Sequence, residues 1–285
     1  MTLYLSFRSQ AVGGAVAGPI LLQGNGTATP PALSVVPPQS IAGVFRGRSV
    51  LFATHGFNVS YQAGACALGN LETQLTADGF LRASDCFVGV LWPGDFWIPV
   101  INYPFSGGDA IESGKRLAAF CNDWQSAMQS VSFVSHSLGA RLVLQAVSLM
   151  QRRARSVCLT AAAINRDCLL SEYERAAGNS DSISILSSDN DLVLKLAFAV
   201  GDPISDLLDP DHTPFEAALG FKGPPVPAAL PIQAPWQTPQ TPPYDHGNYL
   251  PPSDAPLPDP TPDPLWPKAV DFMGRAYRGD PQTWP

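Results

Sequence analysis

Short aliphatic and β-branched runs alternate with stretches of helical period along most of this chain. The runs lie at 3–7, 50–53, 86–91, 131–134, 157–161 and 183–186. Most lack polar alternation, as expected of strands covered on both faces. Between them, Leu68, Leu71 and Leu75 share one helical face that ends at Gly79. Gly114, Leu117, Cys121 and Trp124 form a second face, and Leu142, Ala146, Val147 and Met150 a third. Arg152 and Arg153 follow the third, where positive charge suits a helix C-terminus. A last helix is expected over 267–278, with Pro267 near its start and Gly279 just past its end. This alternation predicts an α/β protein with a largely parallel sheet flanked by helices. No internal repeat is visible, and 285 residues suit a single domain over 1–285.

The stretch 202–264 breaks the pattern, holding more than half of the 29 prolines and little periodicity. Proline at that density removes backbone donors and favours extended chain, so a long irregular excursion is expected. Phe215, Phe221, Trp236 and Tyr244 make it more aromatic than a solvated linker, which suggests a loop covering a pocket.

At 135–139, Ser-His-Ser-Leu-Gly joins the β-type run 130–134 directly to the helical run 140–151. A serine at so sharp a turn reads as a nucleophile, Ser137, and the tight turn requires small residues two before and two after it. Ser135 and Gly139 meet that demand. A serine hydroxyl needs a base to take its proton as it attacks. Of the four histidines, His136 lies inside the turn, with its side chain expected to point away from that of Ser137, and His55 lies in another turn. His246 and His212 remain; His246, in the loop just before the last expected helix, is favoured over His212, which sits among Asp209, Pro210 and Asp211 like an ordinary surface residue.

The base needs a carboxylate to fix its tautomer. Asp189 and Asp191 both follow the run 183–186, at the strand edge where parallel sheets collect functional groups. One can cap the helix that opens there while the other faces the histidine; Asp191 is preferred for the histidine and Asp189 for the cap. The developing oxyanion needs donors, for which the backbone amides of Leu138 and of Phe57, in Thr54-His55-Gly56-Phe57-Asn58, are the candidates.

These segments together resemble an α/β-hydrolase. Ser135-His136-Ser137-Leu138-Gly139 matches that family's elbow, and His55-Gly56-Phe57 is similar to its oxyanion loop. Ser137, Asp191 and His246 follow its order of nucleophile, acid and base. Asn190-Asp191-Leu192-Val193-Leu194 is similar to the Asn-Asp-x-x-Leu segment of a bacterial branch of uncharacterised hydrolases. The resemblance covers 48–279 and departs at Ser135, where the family has glycine, and in the proline-rich stretch before His246. It implies the α/β-hydrolase fold and a Ser-His-Asp acyl-enzyme route with no metal or organic cofactor.

A carboxylic ester hydrolase is therefore expected, acting on uncharged apolar small molecules. The aromatic loop from Trp92 through Trp97 to Phe105 offers apolar pocket walls, with Phe57, Trp92 and Trp97 as first choices for substrate contact. Thioesters or amides would use the same chemistry. The alternative class is a catalytically inert fold that binds a small apolar ligand or a protein partner. A net charge of −7 leaves no electrostatic footprint for nucleic acid. No apolar run is long enough to span a bilayer, and the N-terminus lacks the form of a secretory signal. Five scattered cysteines read as buried thiols in a reducing, cytoplasmic setting, with a Cys66–Cys86 bridge as the other possibility. Nothing in the pattern fixes an oligomeric state.

Overall fold

Each of the six apolar runs becomes a strand. The computed structural model describes residues 1–9, 14–95, 103–199, 217–225, 231–233, 236–252, 265–280 and 284, with 103–106 and 196–199 in their backbone alone. The chain begins with β1 (Thr2–Ser6), β2 (Ile20–Asn25) and β3 (Ala32–Val35), followed by α1 (Ile41–Phe45) and β4 (Ser49–Thr54). Then come α2 (Tyr61–Ala77), β5 (Asp85–Leu91), α3 (Tyr103–Trp124), β6 (Ser130–His136) and α4 (Gly139–Leu149). β7 (Ser156–Thr160), α5 (Glu174–Gly178), β8 (Ile183–Ser187) and α6 (Leu192–Ala199) continue the alternation. α7 (Leu219–Lys222), β9 (Trp236–Gln237) and α8 (Trp266–Arg278) complete the described elements.

The described strands form one sheet in the order β3-β2-β1-β5-β4-β6-β7-β8-β9. Every pairing from β1–β5 to β8–β9 is parallel, and β2 runs antiparallel to both β1 and β3. α2 packs on β1, β5 and α8, while α8 lies over β6, β7 and β8. α3, α4 and α5 pack together, with α4 resting on β4 and β6. Helices on both faces explain why β7 and β8 are buried at every position and carry no polar alternation. In the core, register partners Phe52 and Phe133 stack at 5.7 Å, and Phe120 meets Phe52 edge-on.

Chain direction places the site. From β4 the chain steps to β5, then crosses back over β4 to reach β6, so the strand order reverses around β4. Loops leaving β4 and β6 therefore sit side by side at the carboxyl edge of the sheet, where such a reversal opens a crevice.

Two departures from the sequence reading have physical causes. The β2–β3 hairpin was not expected: only Leu21 is buried in the two strands, so they lack the apolar run that marks the central ones. α7 and β9 fall inside the stretch expected to be irregular, and Phe221, Trp236 and Tyr244 anchor it to the core. Residues 202–216, 226–230, 234, 235 and 253–264 of that stretch, with His212 and Phe215, lie outside the described residues. All five cysteines are free and buried, so Cys66 and Cys86 form no bridge. Among the described residues, no helix is long and apolar enough to cross a membrane.

Candidate active site

β6 ends at His136 and α4 begins at Gly139, leaving Ser137 at the turn with φ 55°. A non-glycine residue in this left-handed region costs on the order of 1–3 kcal/mol and persists only where its surroundings hold it. The Ser137 N–H donates to the Thr160 carbonyl at 3.0 Å, and the Ser137 carbonyl accepts from the Ala163 N–H at 3.2 Å. Both bonds tie the elbow to the end of β7 and the loop that follows. A Cβ on Gly139 would stand 2.4 Å from Thr54 Oγ1 and 2.7 Å from the His55 carbonyl oxygen, so only glycine fits. A Cβ on Gly56 would stand 2.9 Å from Ser137 Cβ. The loop leaving β4 thus rests directly on the elbow. Ser135 replaces glycine without a clash because its hydroxyl turns toward β7, 3.4 Å from the Cys158 carbonyl.

Ser137, His246 and Asp191 meet at this edge. Ser137 Oγ lies 2.8 Å from His246 Nε2, and His246 Nδ1 lies 2.7 Å from Asp191 Oδ2. One neutral tautomer satisfies both contacts, with Nδ1–H donating to the carboxylate and Nε2 accepting from the hydroxyl. Asp191 is fully buried, Ser137 is 5% exposed and the His246 side chain 18% exposed. The other carboxylate oxygen of Asp191 accepts from the Leu194 N–H at 3.0 Å, which caps α6 and sets the charge at a helix N-terminus. The two roles divided between Asp189 and Asp191 in the sequence reading therefore fall to one residue. Asp189 pairs instead with Lys222 at 2.9 Å on the surface.

The loop after β4 is held from several sides. Trp92 Nε1–H donates to the His55 carbonyl at 2.9 Å, and the Asn58 N–H to the Gly94 carbonyl at 2.6 Å. Arg8 bonds the Val59 carbonyl at 2.5 Å and pairs with Asp95 at 2.7 Å, both side chains being largely covered. His55 Nδ1–H donates to the Gly56 carbonyl at 2.8 Å. Because the peptide is planar and trans, this carbonyl orientation turns the Phe57 N–H to the opposite side, away from His55. Leu138, whose amide is the second candidate donor, stands at the amino end of α4 with φ −64° and ψ −17°.

Two histidines near Ser137 and His246 are held neutral. Desolvation, then the charge of Arg8, pushes the His55 pKa down to about 3. Desolvation, then the charge of His246, pushes that of His136 down to about 3. A histidine that resists protonation only when folded contributes stability above its unfolded pKa near 6.5, lost as pH falls toward the folded value. For the deeply buried His55 the loss is about 1.4 kcal/mol per pH unit. The urea midpoint should therefore fall between about pH 6.5 and about pH 4, and His55→Asn should flatten that slope. An unchanged slope in the variant would contradict the assignment.

Trp92 does not line open space: its ring is fully buried, stacks on His55 at 5.7 Å and bonds the loop above. Expected as a substrate contact, it is instead packing beneath the loop. Trp97, with Phe96 and Pro99, lies outside the described residues, as do the side chains of Tyr103 and Phe105. Phe57 is partly exposed. His136, expected to point away from Ser137 and passed over as the base, bonds the backbone of the His246 loop. Among the described residues, no group of three or more His, Cys, Asp or Glu could hold a metal ion.

The model of a family described as "Alpha/beta hydrolase of unknown function (DUF900)" matches residues 44–234, a span that includes Ser137 and Asp191 and ends before His246. No curated protein matches the chain. Among solved structures it is similar to esterase PE8, at 15% identity and a TM-score of 0.43 over 81% of this chain and 94% of that one. It is also similar to a predicted CIB-like hydrolase from Thermoplasma acidophilum, at 13% identity and 0.41 over 96% of this chain and 99% of that one. A third is an esterase from Pyrobaculum calidifontis, at 11% identity and 0.42 over 92% of this chain and 82% of that one. The family match spans more than half of the sequence, and the chain belongs to the DUF900 family of alpha/beta hydrolases, whose function is unknown.

Proposed function

We propose that this protein is a serine hydrolase that cleaves carboxylic esters with uncharged, apolar acyl or alcohol groups. The observation that carries the reading is the unbroken hydrogen-bond chain from Ser137 through His246 to the buried Asp191. Ser137 Oγ attacks the ester carbonyl while His246 Nε2 takes its proton, and Asp191 holds the imidazolium that forms. His246 then returns the proton to the leaving alcohol. Water, deprotonated by the same imidazole, releases the acyl group from Ser137. The Phe57 and Leu138 amides hold the oxyanion, each donor contributing about 2.7–4 kcal/mol to the transition state.

The apolar substrate class draws on Phe57 in the loop beside Ser137 and on Leu192 and Val193, which follow Asp191 and are 57% and 51% exposed. A chain-length panel of aryl esters tests the reading. Neutral short and medium acyl esters should turn over, and an ester with a terminal carboxylate on its acyl group should be a markedly poorer substrate. Absence of turnover across the panel, or equal rates on the charged ester, would contradict it.

A further inference from the structure

The proposed mechanism leaves His136 without a task, although it touches the loops on both sides of the elbow. Its Nε2–H donates to the backbone carbonyl of His246 at 2.8 Å. Its ring stands 5.0 Å from the His246 ring and 5.9 Å from that of the buried Tyr249. A Cβ on Gly56 would lie 3.0 Å from His136 Nδ1, so the imidazole also packs on the loop leaving β4. One side chain thereby joins the elbow, the loop of the proposed oxyanion donors and the loop of the proposed base.

The loop around His246 needs such a tie. Its own bonds are local: the Asp245 N–H donates to Asn248 Oδ1 at 2.7 Å, and the Asn248 N–H returns to the Asp245 carbonyl at 3.0 Å. The His246 N–H donates to Asp245 Oδ1 at 2.8 Å. These bonds shape the turn without fixing its distance from the sheet. Ser188 Oγ–H anchors the chain two residues earlier, at the Tyr244 carbonyl, at 2.7 Å. At residue 246 itself, the backbone tie to the sheet is the one from His136. That donor sits on the residue next to the nucleophile, so it measures the height of His246 directly against Ser137.

We infer that His136 is a positioning residue: by holding the His246 carbonyl it sets the imidazole at hydrogen-bond distance from Ser137 Oγ. The inference rests on the serine hydrolase reading for its catalytic meaning, though the geometry can be read without it. A neutral imidazole suits this place, because a permanently charged donor 5 Å from the His246 ring would repel the imidazolium formed during attack. A shift of the base by about 1 Å can cost about 10²-fold in rate.

Three variants test this. His136→Leu keeps bulk and removes the donor. His136→Gln places an amide N–H near the position of Nε2, and His136→Asn carries its amide near Nδ1, too short to reach the carbonyl. Each is assayed for kcat and KM on the best aryl ester, for its urea midpoint, and by proton NMR for the downfield Nδ1–H resonance of His246 bonded to Asp191. Leu and Asn variants should lose about 10²-fold in kcat with little change in KM, and their downfield resonance should broaden or vanish. The Gln variant should recover most of the rate and keep the resonance. If Leu fails to fold, the Asn and Gln pair carries the same comparison.

Wild-type kcat and resonance in Leu or Asn, or a Gln variant as impaired as Leu at equal stability, would overturn the inference. A wild-type protein inert toward every ester would sink the hydrolase reading alone, since the resonance still reports whether His136 holds His246.

Discussion

Replacing Asp191 with asparagine should lower kcat on an aryl ester by about 10⁴-fold, whereas Asp189→Asn should stay within about tenfold of wild type. The two residues are near neighbours and chemically identical, so the contrast isolates geometry. Asp191 is fully buried and accepts from both His246 Nδ1 and the Leu194 N–H. Asparagine can still cap α6 through its side-chain oxygen, which keeps the fold. It lacks the negative charge that stabilises the imidazolium, and its amide can present a donor to Nδ1 and favour the wrong tautomer. Asp189 loses only its pairing with Lys222, both partners being substantially exposed, and such pairs contribute little. Steady-state kinetics with matched unfolding curves check the prediction. Equal losses in both variants would remove Asp191 from its proposed role.

Ser137→Ala should lower kcat on the order of 10⁶-fold, and adding His246→Ala to it should cost almost nothing more. Nucleophile and base act as one unit: without the oxygen there is no proton for the imidazole to take. The expected residue of activity is that of bound water attacking an ester held by the Phe57 and Leu138 amides. Alanine at 137 retains the bonds of the elbow, because those to Thr160 and Ala163 come from the backbone. Folding should therefore survive while catalysis does not. Additive losses in the double variant would mean that the two residues work independently.

Much of this architecture was legible in the chain because burial on both faces writes continuous apolar runs. β4, β5, β6 and β8 include those runs and extend them by one to three residues, while β7 begins one residue earlier than its run and ends one residue sooner, at Thr160. The helical faces of α2, α3 and α4 were equally plain, and Gly279 stops α8 in the left-handed region at φ 76°. The elbow could be read because Ser135, Ser137 and Gly139 form a local pattern whose steric reason is local too. Elimination among four histidines left His212 and His246, and the one that the structure brings to Ser137 Oγ is His246.

What stayed hidden depends on contacts between distant segments. β2 and β3 are half-exposed, and the two residues of β9 owe their strand form to pairing with β8. Asp191 was preferred for the histidine and Asp189 for the cap; that Asp191 makes both contacts shows only in the fold, because both residues suit a helix cap in sequence. Trp92 was misread because an aromatic residue beneath a loop and one lining a pocket have the same sequence signature. The contact made by His136 could not be foreseen because its partner is a carbonyl 110 residues away, on a residue noted only for its side chain.

The most direct test is the reaction of the native protein with a fluorophosphonate, the adduct located by peptide mass spectrometry. A single adduct on Ser137 is expected, absent from Ser137→Ala and strongly slowed in His246→Ala. A native protein that never reacts, or an adduct carried by a different serine, would contradict the proposed nucleophile and the chemistry built upon it.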